Sequence, residues 1–353
     1  MISALCLLFV PVSLILEYVV HAGPVWVFLT SAIAVAALAD WIRRATEQLS
    51  ERAGSAIGGL LNVSFGSIAE LALALFVLAQ GDVAVVKAQI TGSIIGTSLL
   101  GLGLAVLVGG ATRDRQTFNR ANVGLLSTLL FLVVIALLLP AIFDFTARAG
   151  MPDTTGTDER LSIGASAVLL FLYGANLVFT LITHRDIFAG DEPRAEAEWS
   201  LLRSLAVLIV ATVVVALEAE LVSDAISATA EQIHVSKIFL GVIVLALVGT
   251  SADLFAAVAF ARQDKMSIVF SICIGSAIQM ALVVAPLLVL LSWLIGHPMN
   301  LVFDNLLDLF AIAGTAFVVR AIAADGETTW FEGLLLVGVY ALFGLGFYLV
   351  APA

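Results

Sequence analysis

The sequence predicts an all-α integral membrane protein of about eleven transmembrane helices, one leading helix followed by two inverted five-helix repeats. Three observations predict it. The 353 residues are 61% apolar and 12% charged, whereas soluble domains are about a quarter charged. Apolar runs of about twenty residues recur between short polar breaks. Two blocks of the chain repeat at one constant offset.

The apolar runs place spans at roughly 3–20, 25–42, 55–79, 84–109, 122–142, 161–183, 201–224, 236–261, 266–294, 303–322 and 331–351. The first run lacks a basic leader and a small-residue cleavage pattern and contains Glu17, so it reads as a retained helix. This divides the chain into a leading helix (1–22), a first repeat (23–184), an acidic linker (185–199) and a second repeat (200–353).

Basic residues give the sidedness. The loops after the second, fourth, sixth, eighth and tenth spans hold Arg43, Arg44, Arg52, Arg113, Arg115, Arg120, Arg185, Arg194, Arg203, Arg262, Lys265 and Arg320, which is 12 of the 16 Lys and Arg residues. The other side holds Lys87, Arg148, Arg160 and Lys237. The excess of Lys and Arg on cytoplasmic loops predicts a cytoplasmic N-terminus and an external C-terminus, in a prokaryotic inner membrane. Among these loops, the stretch from Gly190 to Glu198 reads as a solvated linker, or else as a weak cation-attracting or regulatory helix.

The net charge of −11 excludes a nucleic-acid partner. Lipid and small ions are the expected partners, and a homo-oligomer is left open. Cys6 and Cys273 lie in apolar runs and read as packing residues, with neither a disulfide nor a metal site expected. His21, His184, His234 and His297 fall near span ends and read as interfacial. No catalytic motif appears in the spans, so no enzyme and no resident cofactor is expected.

The repeat has an offset of 183 residues. It pairs Gly58 with Gly241, Gly66 with Gly249, Glu70 with Asp253, Leu71 with Leu254, Gly92 with Gly275 and Ser93 with Ser276. Each block is a helix bearing a carboxylate, a short turn, and a second helix carrying Gly-Ser. The first carboxylate helix follows a cytoplasmic loop and the second an external one, so the blocks run in opposite directions. Inverted repeats point to a transport site near the midplane.

Glu70 sits in Ile68-Ala69-Glu70-Leu71-Ala72 and Asp253 in Ser251-Ala252-Asp253-Leu254-Phe255. A carboxylate deep in hydrocarbon is stable when protonated or when bound to a cation. Those two states are what cation/proton exchange requires, and two carboxylates balance one divalent cation, two monovalent cations or two protons. Ser67, Ser93, Thr97, Thr250, Ser276 and Gln279 could supply further oxygen ligands. Gly66 and Gly249, four residues before each acid, could release backbone carbonyls, or serve close helix packing. Glu220, with Glu218 beside it, is a candidate pathway residue. Glu47 reads as a solvated cytoplasmic-edge charge that could also line the pathway, and Glu17 as a snorkelling one.

The stretch from Gly58 to Leu71, containing Gly66-Ser67-Ile68-Ala69-Glu70, resembles the first signature of the calcium/proton exchanger (CAX) family within the cation/calcium antiporter (CaCA) superfamily. Val85-Val86-Lys87-Ala88 and Gly92-Ser93-Ile94-Ile95-Gly96 continue the resemblance. Val248-Gly249-Thr250-Ser251-Ala252-Asp253 and Gly275-Ser276-Ala277-Ile278-Gln279 echo the second signature, and Asp325-Gly326 to Gly333 is similar as well. The resemblance implies a sodium/calcium exchanger-like fold and exchange of cytosolic Ca2+ for H+, with Glu70 and Asp253 as the signature acids that hold the metal. It also implies gating by the first and sixth helices sliding over a fixed core.

The chain departs from that pattern. Ser67 and Thr250 stand where the family signature has Asn, Asp253 where it has Glu, Leu254 where the second half has His, and Thr97 where a further Asn is expected. The alternative is therefore a Na+ or broader cation/proton antiporter of the same fold. A cation channel is less favoured, because inverted repeats with midplane acids suit alternating access.

Overall fold

A computed structural model describes residues 5–53, 65–147, 155–179, 183, 198–303 and 305–350. Gly58 and most of the acidic linker lie outside the described residues. Among the described residues the chain forms eleven apolar helices. These are α1 (Phe9–Val20), α2 (Pro24–Ala53), α3 (Ile68–Ala79), α4 (Val83–Gly110), α5 (Arg120–Ala147), α6 (Thr155–Val178), α7 (Leu201–Gln232), α8 (Lys237–Arg262), α9 (Met266–Ile295), α10 (Leu306–Ile322) and α11 (Trp330–Leu349). Eight of them are long and apolar enough to cross a membrane; α1, α3 and α10 are shorter. Hydrocarbon offers no partner to a free peptide group, so helices that satisfy their own backbone are one of the few structures able to cross it.

Helix ends fall where the sequence supplies a cap. Ser200 accepts from the Arg203 amide, Ser236 from that of Phe239 and Asn305 from that of Leu307. Thr329 and Glu332 form a reciprocal capping box at the start of α11. Gly296 ends α9 in a left-handed conformation.

The outer helices carry exposed apolar faces, such as Leu132, Ile135 and Leu139 on α5, Phe171 on α6, Ile209 and Val213 on α7, and Leu342 and Leu345 on α11. By contrast α4 is buried nearly all round, as expected of the centre of a membrane bundle.

Contacts come in symmetry-related pairs. α7 packs on α2, and α5 on α10, each helix meeting its repeat counterpart. α3 packs on α7 as α8 does on α2, and α4 on α11 as α9 does on α6. Five crossings separate each helix from its counterpart, an odd number, so counterparts run in opposite directions. The repeat extends to local distortion. α4 is π-helical over Gly96–Gly101 and α9 over Met280–Val284, almost the same positions after the 183-residue offset. α8 has a third such segment, Leu240–Leu245. Single-turn π segments leave backbone groups less regularly paired and often mark functional positions in helices.

Loop contacts sort into the two sides that the charge pattern predicts. On the arginine-rich side a short antiparallel ribbon pairs β1 (Gln116–Thr117) with β2 (Glu327–Thr328). There Arg115 bonds Glu327 at 2.9 Å, Arg113 meets Asp264 at 3.6 Å, and the Trp199 amide donates to Gln48 at 2.8 Å. On the opposite side Lys237 pairs with Asp82 at 3.2 Å, Lys87 donates to Asn300 at 2.7 Å, and the Leu301 amide donates to Ser162 at 2.9 Å.

The two Gly-Ser helices are not packed alike. A methyl group on Gly92 would lie 1.9 Å from the Val242 carbonyl oxygen and 2.6 Å from Ala246 Cβ, because α4 and α8 touch backbone to backbone there. Its counterpart Gly275 has nothing within 4 Å among the described residues. Gly92→Ala is therefore expected to destabilise the protein by about 1–3 kcal/mol or more, with Gly275→Ala near neutral. Thermal unfolding of the two purified variants in detergent reads the contrast.

Candidate functional site

Glu70 and Asp253 lie on α3 and α8, the two carboxylate helices of the inverted repeats. Gly249 brings these helices together. A methyl group there would fall 2.8 Å from Glu70 Cγ and 3.4 Å from its Cα, so only hydrogen at this position lets the α8 backbone close on the acid. Glu70 is 3% exposed, and neither carboxylate oxygen has a hydrogen-bond donor among the described residues. The hydroxyls of Ser67 and Ser93 face the carboxyl, yet neither meets it in hydrogen-bonding geometry, and Ser93 Oγ is itself buried without a partner.

Asp253 is placed differently. It is partly accessible and lines a cavity of about 390 Å³, shared with Gly66, Ser276, Gln279, Arg43 and Glu47. The Ser276 hydroxyl and the Arg43 guanidinium both face its carboxyl, the latter acting on it through charge. Arg43 is held by Asp40 at 3.1 Å and by Glu47, while Arg44 also holds Asp40 at 2.8 Å. A second cavity continues past Arg43 and Glu47 to Gln48 and Gln263, at the ends of α2 and α8 on the arginine-rich side. A polar path thus leads from Asp253 to that side, while Glu70 sits behind it against Gly249.

The two acids act on each other electrostatically. The surrounding groups could complete an oxygen shell. Thr97 and Thr250 are fully buried and donate their hydroxyls to the Ser93 and Ala246 carbonyls at 2.8 Å, which leaves their lone pairs available. Two carboxylates, several hydroxyls and an amide oxygen make a hard donor set, suited to a calcium-like cation or to protons. No cluster of three His, Cys, Asp or Glu occurs among the described residues.

Of the expected site residues, Gly66, Asp253, Ser276 and Gln279 come together at the cavity, and Ser67, Glu70, Ser93 and Gly249 at the packed crossing beside it. Glu47 lines the cavity mouth. Glu220 does not come near; it is exposed on the outer face of α7, whereas Glu218 is wholly buried.

Four residues of the site were not legible. Gln89 on α4 donates to the Glu70 carbonyl at 3.1 Å and has its own buried amide oxygen unpartnered. Tyr173 and Asn176 on α6 line the cavity, and Arg43 reads in sequence only as a sidedness charge. Asn176, a lone amide in an apolar run, carried the one available signal.

Comparison with known proteins agrees with the fold. The family model described as sodium/calcium exchanger protein matches residues 23–182 and 203–349. The chain is 39% identical to a Ca2+/H+ antiporter, ChaA, of Bacillus subtilis (strain 168), over 97% of both chains. It is 37% identical to a Ca2+/H+ antiporter of Aphanothece halophytica, over 97% of this chain and 95% of that one. The solved structure of native YfkE superposes with a TM-score of 0.86 at 34% identity, covering 99% of this chain and 100% of that one. The chain is an integral membrane protein of the sodium/calcium exchanger family.

Proposed function

We propose that this protein is a Ca2+/H+ antiporter in which Glu70 and Asp253 hold either one calcium ion or protons and carry them by alternating access. The observation that supports it best is the unequal pair of acids. One is open to a polar cavity and the other is sealed against Gly249, on helices of opposite direction. The relatives bear the same activity in their names.

Coupling follows from charge. With both acids ionised and no cation, two bare carboxylates would share a low-dielectric site, at a cost of several kcal/mol each. One Ca2+ or two H+ removes that cost. Only loaded forms can therefore close and reopen, and the protein exchanges rather than leaks. Closing the cavity side would draw α8 onto Gly66, as α3 and α8 now close at Gly249, and would fill the space beside Gly275, as α8 now fills that beside Gly92. The inverted repeat makes the two states equivalent in packing. We place the arginine-rich side in the cytosol of a bacterial inner membrane, so the cavity opens to cytosolic Ca2+. The repeat boundaries follow as 23–184 and 200–353, joined by the linker at 185–199.

Arg43 has a part in release. Its charge faces Asp253 from the cavity wall and competes with an entering cation. Arg44 keeps Asp40 paired when Arg43 is lost.

Proteoliposomes with an imposed pH gradient test the proposal, with calcium, sodium, potassium and manganese added separately. Calcium is expected to dissipate the gradient; dissipation by sodium but not calcium would overturn the calcium assignment. Glu70→Gln and Asp253→Asn are each expected to abolish calcium-driven proton flux while the protein remains folded and monodisperse. Calcium displaces the protons, so apparent affinity should rise with pH, by up to about 100-fold per pH unit while both acids are protonated. Binding titrations across pH read this. Arg43→Gln is expected to raise apparent calcium affinity several-fold at low ionic strength, with the gain shrinking toward about 1 M salt, where charges are screened within about 3 Å.

A further inference from the structure

We propose that Glu218 is a second proton-binding site, distinct from the Glu70–Asp253 pair and built where the leading helix α1 meets α7. Glu218 and its partner Ser13 on α1 are both completely buried. Ser13 Oγ stands 2.8 Å from each carboxylate oxygen of Glu218 and 2.8 Å from the Val10 carbonyl.

The hydrogen count makes this geometry fit both states of the acid. A serine hydroxyl has one proton to give and two lone pairs to receive. When Glu218 is ionised, Ser13 donates to the carboxylate. When a proton from solvent binds a carboxylate oxygen, the new O–H donates to Ser13 Oγ, and the serine proton turns to the Val10 carbonyl. One O–H bond forms on Glu218, one breaks on the hydronium that delivers the proton and leaves as water, and no heavy atom of the pair needs to move. A side chain kept only for packing would not need an acceptor in reserve on its partner's far side.

The surroundings leave the proton to this pair. Around α7 pack α1, α2, α3 and the start of α8. Their titratable and charged residues are Glu17 and Tyr18 on α1; Asp40, Arg43, Arg44, Glu47, Glu51 and Arg52 on α2; Glu70 on α3; and Lys237 on α8, which pairs with Asp82. α7 itself adds Arg203, Glu220, Asp224 and Glu231. Among the described residues, Ser13 is the side chain that hydrogen-bonds the Glu218 carboxyl. No mobile cation site is built there either, since one acid and one hydroxyl fall well short of the six to eight oxygens calcium takes.

The bond reaches the leading helix α1, which stands outside both repeats. Proton binding at Glu218 switches the direction of the bond that ties α1 to α7.

The test is infrared difference spectroscopy of the full-length protein in lipid, between about pH 4 and about pH 10, a range that spans ordinary and strongly displaced carboxyl groups. The expected result is a protonated-carboxyl stretching band, shifted in D2O, that is present in wild type, absent from Glu218→Gln, and displaced in Ser13→Ala. Identical pH-difference spectra for wild type and Glu218→Gln would overturn the proposal, because the acid would then hold one state throughout. Should Glu218→Gln fail to fold, Ser13→Ala decides: a displaced band supports the site and an unmoved spectrum overturns it. The readout involves neither calcium nor transport, so its failure would leave the antiport reading untouched.

Discussion

A bare carboxylate in hydrocarbon is disfavoured by several kcal/mol unless a proton, a cation or a set of donors compensates it. Among the described residues Glu70 has no donor for either oxygen, and it is sealed by the α8 backbone at Gly249. A soluble enzyme would relieve such a group with water or with backbone amides. Here the deficit is left in place, and the rest of the bundle is arranged around it. α4, buried on all sides, forms a fixed wall, and its π-helical turn at Gly96–Gly101 lies just beyond Ser93, the hydroxyl facing the acid.

Two inverted halves meet at this site, and they are not packed alike. The α3–α8 and α4–α8 crossings are tight at Gly249 and Gly92, while the equivalent glycines, Gly66 and Gly275, line the cavity. The antiport mechanism proposed above gives these small residues a part in motion as well as in packing. On that reading a larger side chain at any of these positions favours one state over the other.

Charges away from the centre follow ordinary rules. Arginine-rich loops meet one another through the β1–β2 ribbon and pairs such as Arg115–Glu327, and Lys237–Asp82 closes the other side. Such partly exposed pairs contribute about 1 kcal/mol or less each, so they hold loops in register more than they hold the bundle together. Arg43 is the exception, because it points along the route to Asp253 and its charge is felt there.

The sequence by itself determined the number of helices, their alternation across the membrane, the inverted repeat and the two central acids. Those features depend on hydropathy, on the bias of arginine between loops, and on spacing along one chain, all of which are local or periodic. What only the tertiary structure decided was orientation around each helix axis. Glu218 and Glu220 are two residues apart, about 200° around an ideal helix. One faces Ser13, 205 residues away in sequence, and the other faces outward. Gln89, Tyr173 and Arg43 joined the site for the same reason. A helix's inward face is set by its neighbours, and in lipid both faces are apolar, so the amphipathic stripe that reveals orientation in a soluble protein is missing. The inequality of Glu70 and Asp253, alike in sequence, likewise came from packing, because a symmetric chain must break its symmetry to open toward one side.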